Sequence, residues 1–281
     1  MLAGLPDFPF ESRFRQFEGL RLAHIDEGDG APVVMLHGEP TWSFLWRKVL
    51  PPVRDAGFRV ICPDLVGFGR SDKPVDRDWY SYDRHCAVIA SLFEELDLRD
   101  ATLVMHDWGG PIGMRVAAED PDRVARLVLM NTGPLVGVPM GAEWERMRNF
   151  VDRIEDVPMS PILQGGTETE LPPEVLDGYE RPFPNPASKA GMRAFPGLIP
   201  QTPDHPSAVA GRAALEQLGG DGRPKLVLWG QQDFVLPPQI ADGLTAALNA
   251  DGPIAIEDAG HFLQEDKGPE IGAHIASWLS A

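Results

Sequence analysis

Eight short apolar runs alternate with longer amphipathic stretches along most of the chain, and that alternation limits the folds open to it. The runs are Phe14–Phe17, Arg21–Asp26, Val33–Leu36, Phe58–Cys62, Thr102–Met105, Leu127–Met130, Lys225–Trp229 and Ile254–Ile256. Several are near-continuous Val, Ile and Leu, as in strands covered on both faces of a parallel sheet. Helical patterns lie between them at Phe44–Ala56, Ser81–Leu96, Gly110–Glu119, Pro238–Ala250 and Pro269–Ser280. The alternation predicts a doubly wound α/β domain. The earliest strands have no helix between them and are expected to form an antiparallel edge.

The rhythm breaks between about Asn131 and Ala213, where proline and glycine are dense and no strong strand is visible. A polar linker is one reading; the other is an insertion over the carboxyl ends of the strands, where ligands of α/β sheets bind. Sheet elements resume at Lys225, which favours the insertion. The expected division is a core of residues 1–133 and 213–281 with a helical cap at 134–212.

The formal net charge of −17 makes nucleic acid or an anionic membrane surface an unsuitable partner. Cys62 and Cys86 lack metal-ligand spacing and are expected as reduced packing residues. The N-terminal MLAGLPDFPFESRF shows no secretory pattern, and no run approaches the ~18 apolar residues of a membrane span. A cytoplasmic protein, monomeric by default, is the expectation.

The chemistry concentrates in Thr102-Leu-Val-Met-His-Asp107-Trp-Gly-Gly110, an apolar strand running into paired glycines and a helical pattern. This is the strand–turn–helix context of a nucleophile elbow, with Asp107 where serine usually stands. The plainer role for Asp107 is to cap the following helix. Two companions favour catalysis. Val33-Val-Met-Leu-His37-Gly38-Glu39 ends a strand in the turn that supplies one oxyanion-hole N–H in α/β-hydrolases, so Glu39 and Trp108 are the candidate donors, with His37 structural. Glu257-Asp-Ala-Gly260-His261 follows the last strand, which places His261 as the base in the order nucleophile, acid, base. Asp233, in the loop after Val227-Leu-Trp-Gly230, is the candidate acid, against a plain turn role. His24, His85, His205 and His274 are read as surface residues, and His106 as packing beside the nucleophile.

These residues resemble the haloalkane dehalogenase family, in its branch with an Asp–His–Asp triad. The likeness runs through HGEPTWSFLWRKVLPPV, CPDLVGFGRSDKP, HDWGG, YERPFPNPASKAGMRAFPGLIP and DAGHFLQED. It implies an α/β-hydrolase fold, a mostly parallel eight-stranded sheet flanked by helices with an inserted helical cap. It also implies Asp107 as nucleophile, His261 as base and Asp233 as its partner. Trp108 would bind the departing halide, and Glu39 would position water. The substrate implied is a small apolar halogenated molecule, with halide and water the other species and no metal or organic cofactor. A carboxylate suits such a reaction, because attack at a C–X carbon gives an ester that water can break. The family branch also uses a cap tryptophan for the halide. Here that position falls on Trp144 or, aligned back from Phe150, on Met147. An epoxide hydrolase shares the Asp nucleophile but needs tyrosine donors, and Tyr179 is the one tyrosine in the cap stretch. A serine esterase fits less well, and a non-catalytic ligand-binding relative would be expected to lack part of the triad.

Overall fold

The computed structural model describes residues 4–281. Met1–Ala3, part of the N-terminal stretch read above, lie outside the described residues. The strands are β1 (Arg13–Phe17), β2 (Leu20–Glu27), β3 (Pro32–Leu36), β4 (Arg59–Pro63), β5 (Ala101–His106), β6 (Val124–Met130), β7 (Lys225–Gly230) and β8 (Asp251–Ile256). They form one sheet in the order β1-β2-β4-β3-β5-β6-β7-β8. β2 pairs antiparallel with β1 and β4, and every other pairing is parallel. Every residue of β5 is buried, which accounts for its unbroken apolar pattern.

The helices are α1 (Leu50–Asp55), α2 (Tyr82–Glu95), α3 (Gly109–Glu119), α4 (Ala142–Arg153), α5 (Met159–Gly165), α6 (Pro173–Glu180), α7 (Ala190–Ala194), α8 (Pro206–Gly220), α9 (Gln239–Leu248) and α10 (Leu263–Leu279). α10 packs on α1, while α2, α3, α8 and α9 pack in series. Between β6 and β7 lie α4 to α8; α8 crosses residue 212 and packs on α3 and α9. Among the described residues no helix is long and apolar enough to cross a membrane. The two cysteines are buried and unpaired.

Two expected helices change shape at prolines. The stretch 44–56 is a 3-10 turn, Ser43–Lys48, followed by α1. Pro51 and Pro52 have no N–H to give the carbonyls of Arg47 and Lys48, so a continuous helix cannot pass, whereas both fit a fresh first turn. The last helix begins at Leu263, not Pro269, and is kinked where Lys267 leaves helical geometry (φ −132°, ψ 30°). Pro269 cannot donate to the carbonyl of Glu265, and the Lys48 ammonium takes that oxygen instead at 2.8 Å. His24 and His85, read as surface residues, are buried at 4% and 1% exposure. His85 stacks on Tyr80 and meets the Phe195 ring edge-on, contacts between segments that local pattern does not reveal.

Candidate active site

Because β3 to β8 run parallel, their carboxyl ends open at the same end of the sheet, and the loops that follow them converge. Asp107 is the first residue past β5. Its φ of +48° lies in the left-handed region, where a non-glycine residue is strained. The turn is held from both sides. The Asp107 N–H donates to the Asn131 carbonyl at 3.2 Å, and the Thr132 hydroxyl donates to the Asp107 carbonyl at 2.5 Å. The fit is close: a Cβ on Gly109 would overlap the Leu36 backbone, and one on Gly38 would overlap the Asp107 carboxylate. Asp107 does not cap α3, whose N-cap residue is Trp108 without a side-chain cap bond. Its Oδ1 instead accepts the Glu39 N–H at 2.8 Å, and the Trp108 N–H also lowers its pKa.

His261, in the loop after β8, stands between two carboxylates. Its Nδ1 is 2.9 Å from Asp233 Oδ2, and its Nε2 is 3.7 Å from Asp107 Oδ2. The first is a hydrogen bond and the second is too long for one. Burial disfavours the imidazolium, but Asp107 and Asp233 outweigh it and push the pKa up to about 10. Burial would raise both carboxyl groups as well, yet the facing imidazole holds each below its ordinary value.

Two residues without an assigned role complete this arrangement. Asn131, directly after β6 and fully buried, donates from Nδ2 to Asp233 Oδ2 at 2.7 Å and accepts the Gly230 N–H at 2.9 Å. Its backbone carbonyl holds the Asp107 N–H, so one side chain and its own carbonyl tie nucleophile to acid. The available signal was a polar residue ending an apolar strand, at the same place along β6 as Asp107 along β5. His106 puts Nε2 at 2.8 Å from the His261 carbonyl. A carbonyl only accepts, so that nitrogen carries the proton; burial, with the His261 charge, takes the His106 pKa down to about 4. His37 is likewise buried, its Nε2 accepting the Leu65 N–H at 2.9 Å.

Asp107 faces two cavities. The larger, of about 380 Å³, is bounded by Glu39, Asp107 and His261 on the sheet side and by α4, α5 and Phe234-Val235 opposite. The smaller, of about 140 Å³, is lined by Trp108, Pro111, Leu135, Met140, Ile199 and Leu236. The Trp108 indole N–H has no acceptor among the described residues, and its ring is met edge-on by Phe195 at 5.0 Å. Of the two cap candidates, Met147 is in the wall of the larger cavity and Trp144 lines neither. Met147, Phe150 and Val151 are the turn of α4 over the cavity; Trp144 sits one turn earlier, against the Arg148 guanidinium at 5.5 Å, its indole N–H buried without a partner. The Glu39 carboxyl is pushed up to about 8 by burial and by the Asp107 charge, so at neutral pH it is an acid with a proton to donate. Among the described residues no group of three or more His, Cys, Asp or Glu is arranged to hold a metal ion.

The three tyrosines point their hydroxyls elsewhere. Tyr179 donates to Glu265 at 2.5 Å, Tyr80 to the Pro74 carbonyl at 2.7 Å and Tyr82 to the Pro111 carbonyl at 2.9 Å. Glu265 also holds the fully buried Arg47, with Nη2 at 2.7 Å, so Tyr179 is part of a structural ion pair.

Residues 31–268 match the family model of the alpha/beta hydrolase fold. A haloalkane dehalogenase from Mycolicibacterium paratuberculosis is 43% identical over 289 aligned positions, covering 99% of this chain and 95% of that one. Another, from Mycobacterium marinum, is 44% identical, with 92% of this chain and 89% of that one aligned. Among solved structures, a tetrameric haloalkane dehalogenase from Paraglaciecola agarilytica NO2 superposes with a TM-score of 0.92. It is 34% identical, and the match covers 97% of this chain and 94% of that one.

Proposed function

The chain belongs to the haloalkane dehalogenases of the α/β-hydrolase family, and from that premise we propose how its residues share the work. It is a hydrolase acting on carbon–halide bonds, turning a haloalkane and water into an alcohol and a halide. Asp107 is the nucleophile. Its carboxylate displaces halide from the substrate carbon, forming an alkyl ester and releasing X⁻. The Trp108 indole N–H, a donor with no acceptor capacity, receives the halide. Glu39, protonated at neutral pH, adds no negative charge beside the departing anion and can hold water by its proton.

The second half follows from what alkylation does to His261. In the free enzyme two carboxylates hold the imidazole protonated, with a pKa of about 10. Esterified Asp107 is neutral, which removes one of those charges and lowers the pKa, so the Nε2 proton passes to solvent as the net proton of the reaction and Nε2 is free to act as base. His261 then takes a proton from water, whose oxygen attacks the ester carbonyl. The Glu39 N–H, 2.8 Å from Oδ1, and the Trp108 N–H stabilise the oxyanion. The alcohol leaves and the carboxylate returns. Asp233 keeps the proton of the neutral ring on Nδ1, which points Nε2 at the ester.

The observation that carries this reading is the single imidazole placed between two carboxylates, one of them presented on a strained turn into an apolar cavity. The tyrosine hydroxyls that an epoxide hydrolase would turn to the alkoxide are engaged away from Asp107. A non-catalytic binding role does not explain three such groups held in register. We take the stretch carrying α4 to α7 as the cap, shorter than the expected 134–212 because α8 packs on the core helices α3 and α9, and the single chain as the catalytic unit, since Asp107, Asp233 and His261 all come from it. The test uses 1-bromobutane. The native chain releases bromide over many turnovers, and His261→Gln stops after one, gaining the mass of a butyl group. Undiminished turnover by His261→Gln, without an adduct, would remove the basis of the assignment.

A further inference from the structure

We infer that this enzyme is built for haloalkanes whose chain outreaches the catalytic cavity, with the distal methylenes lying on an apolar apron around its mouth. The inference deepens the dehalogenase reading above and rests on it for the identity of the reacting end. Among the described residues, ten large hydrophobic side chains are exposed. Five of them, Met147, Phe150, Ile162, Phe234 and Val235, line the same cavity that holds Asp107 and His261. Exposed hydrophobics scattered singly need no explanation, whereas a cluster around one opening does.

The apron is formed by separate parts of the chain. Met147 and Phe150 stand three residues apart on one face of α4, Ile162 comes from α5, and Phe234 and Val235 follow the acid Asp233 directly. Phe234 is 70% exposed and Phe150 57%, so each offers most of its ring to whatever lies over the mouth. The polar groups of this cavity, Glu39, Asp107 and His261, sit at its sheet end. A ligand that matches this distribution has one reactive, polarised end and a long apolar remainder. A second copy of the chain seated on the apron would close the mouth over Asp107, which makes substrate the better occupant.

Each methylene moved from water onto apolar surface is worth about fourfold in binding when fully buried, and about twofold when half covered. Lengthening the substrate from 1-bromobutane to 1-bromooctane therefore raises kcat/KM by about sixteenfold if the added four methylenes are half covered. The experiment measures bromide release for 1-bromobutane, 1-bromohexane and 1-bromooctane. It also measures binding of the product alcohols 1-butanol and 1-octanol by calorimetry. The Phe150→Ser and Phe234→Ser variants are compared by the ratio of the C8 to the C4 constant, which is insensitive to a general loss of folded enzyme.

The expected result is a rise with chain length for both substrate and alcohol, and a fall of that ratio by at least about fourfold in the double variant. A maximum at four carbons, or a ratio unmoved by the double variant, would overturn the inference. So would a native dimer, seen by sedimentation, that the double variant dissociates, because the apron would then face a second copy. Failure to release bromide from any of the three substrates sinks the dehalogenase reading instead; the alcohol binding constants still decide whether the apron holds a chain.

Discussion

Replacing Asp233 with Asn tests the assigned roles sharply, because every group around that carboxylate is a donor. Oδ2 accepts from His261 Nδ1 at 2.9 Å and Asn131 Nδ2 at 2.7 Å; Oδ1 accepts the N–H groups of Val235 and Leu236 at 2.7 and 2.9 Å. An amide NH₂ must face one of these pairs. Turned toward Val235 and Leu236 it confronts two backbone N–H groups that cannot change. Turned toward His261 it meets a ring that can move its proton to Nε2 and accept at Nδ1, leaving only Asn131 opposed. The second orientation therefore prevails, and it leaves the ring protonated on the nitrogen that should take a proton from water. Loss of the one hydrogen bond from Asn131 to a charged acceptor costs about 1.5–3 kcal/mol of stability. The wrong tautomer slows ester hydrolysis by about 10⁴-fold, the scale seen when a triad aspartate is so replaced. Rapid-quench measurement with 1-bromobutane should show one equivalent of bromide released quickly, then near-arrest with the alkyl adduct visible by intact mass. Steady-state turnover within about tenfold of the native rate, with no adduct, would refute the tautomer argument, since a tenfold change is only about 1.4 kcal/mol.

Three further outcomes follow from the same geometry. Glu39 is protonated below about 8 and charged above it, so the bromide burst should slow as pH rises through about 8. In Glu39→Gln that alkaline decline should disappear, and its persistence would assign it to another group. Trp108→Phe removes an N–H donor to an anion, worth about 1.5–3 kcal/mol, so the bromide inhibition constant should rise roughly ten- to hundredfold; an unchanged constant would place the halide elsewhere. Glu265→Gln strands the buried Arg47 charge, which costs about 3–5 kcal/mol and lowers Tm by roughly 10 °C in a domain of this size. A shift under about 2 °C would mean that the pair is not held as described.

The sequence alone determined the eight strands, the antiparallel edge, the elbow at Asp107 and the chain order of Asp107, Asp233 and His261. These are local or ordered properties: short near-continuous apolar runs, a glycine pair after one of them, a polar residue after a strand. The structure brings those three residues together because their strands are parallel and their loops leave the same end of one sheet. What only tertiary structure decided depends on separation along the chain. Asn131 could not be recognised as a partner of Asp233, 102 residues away, until β6 and β7 were paired. The spacing of Trp144 and Met147 put both on one helical face, and only the position of α4 over the cavity separated them. The burial of His24 and His85, and the high pKa of His261, likewise arise from neighbours supplied by other elements. Pattern reports which face of an element is apolar; packing decides what that face meets, because a contact is a distance in space and not an interval along the chain.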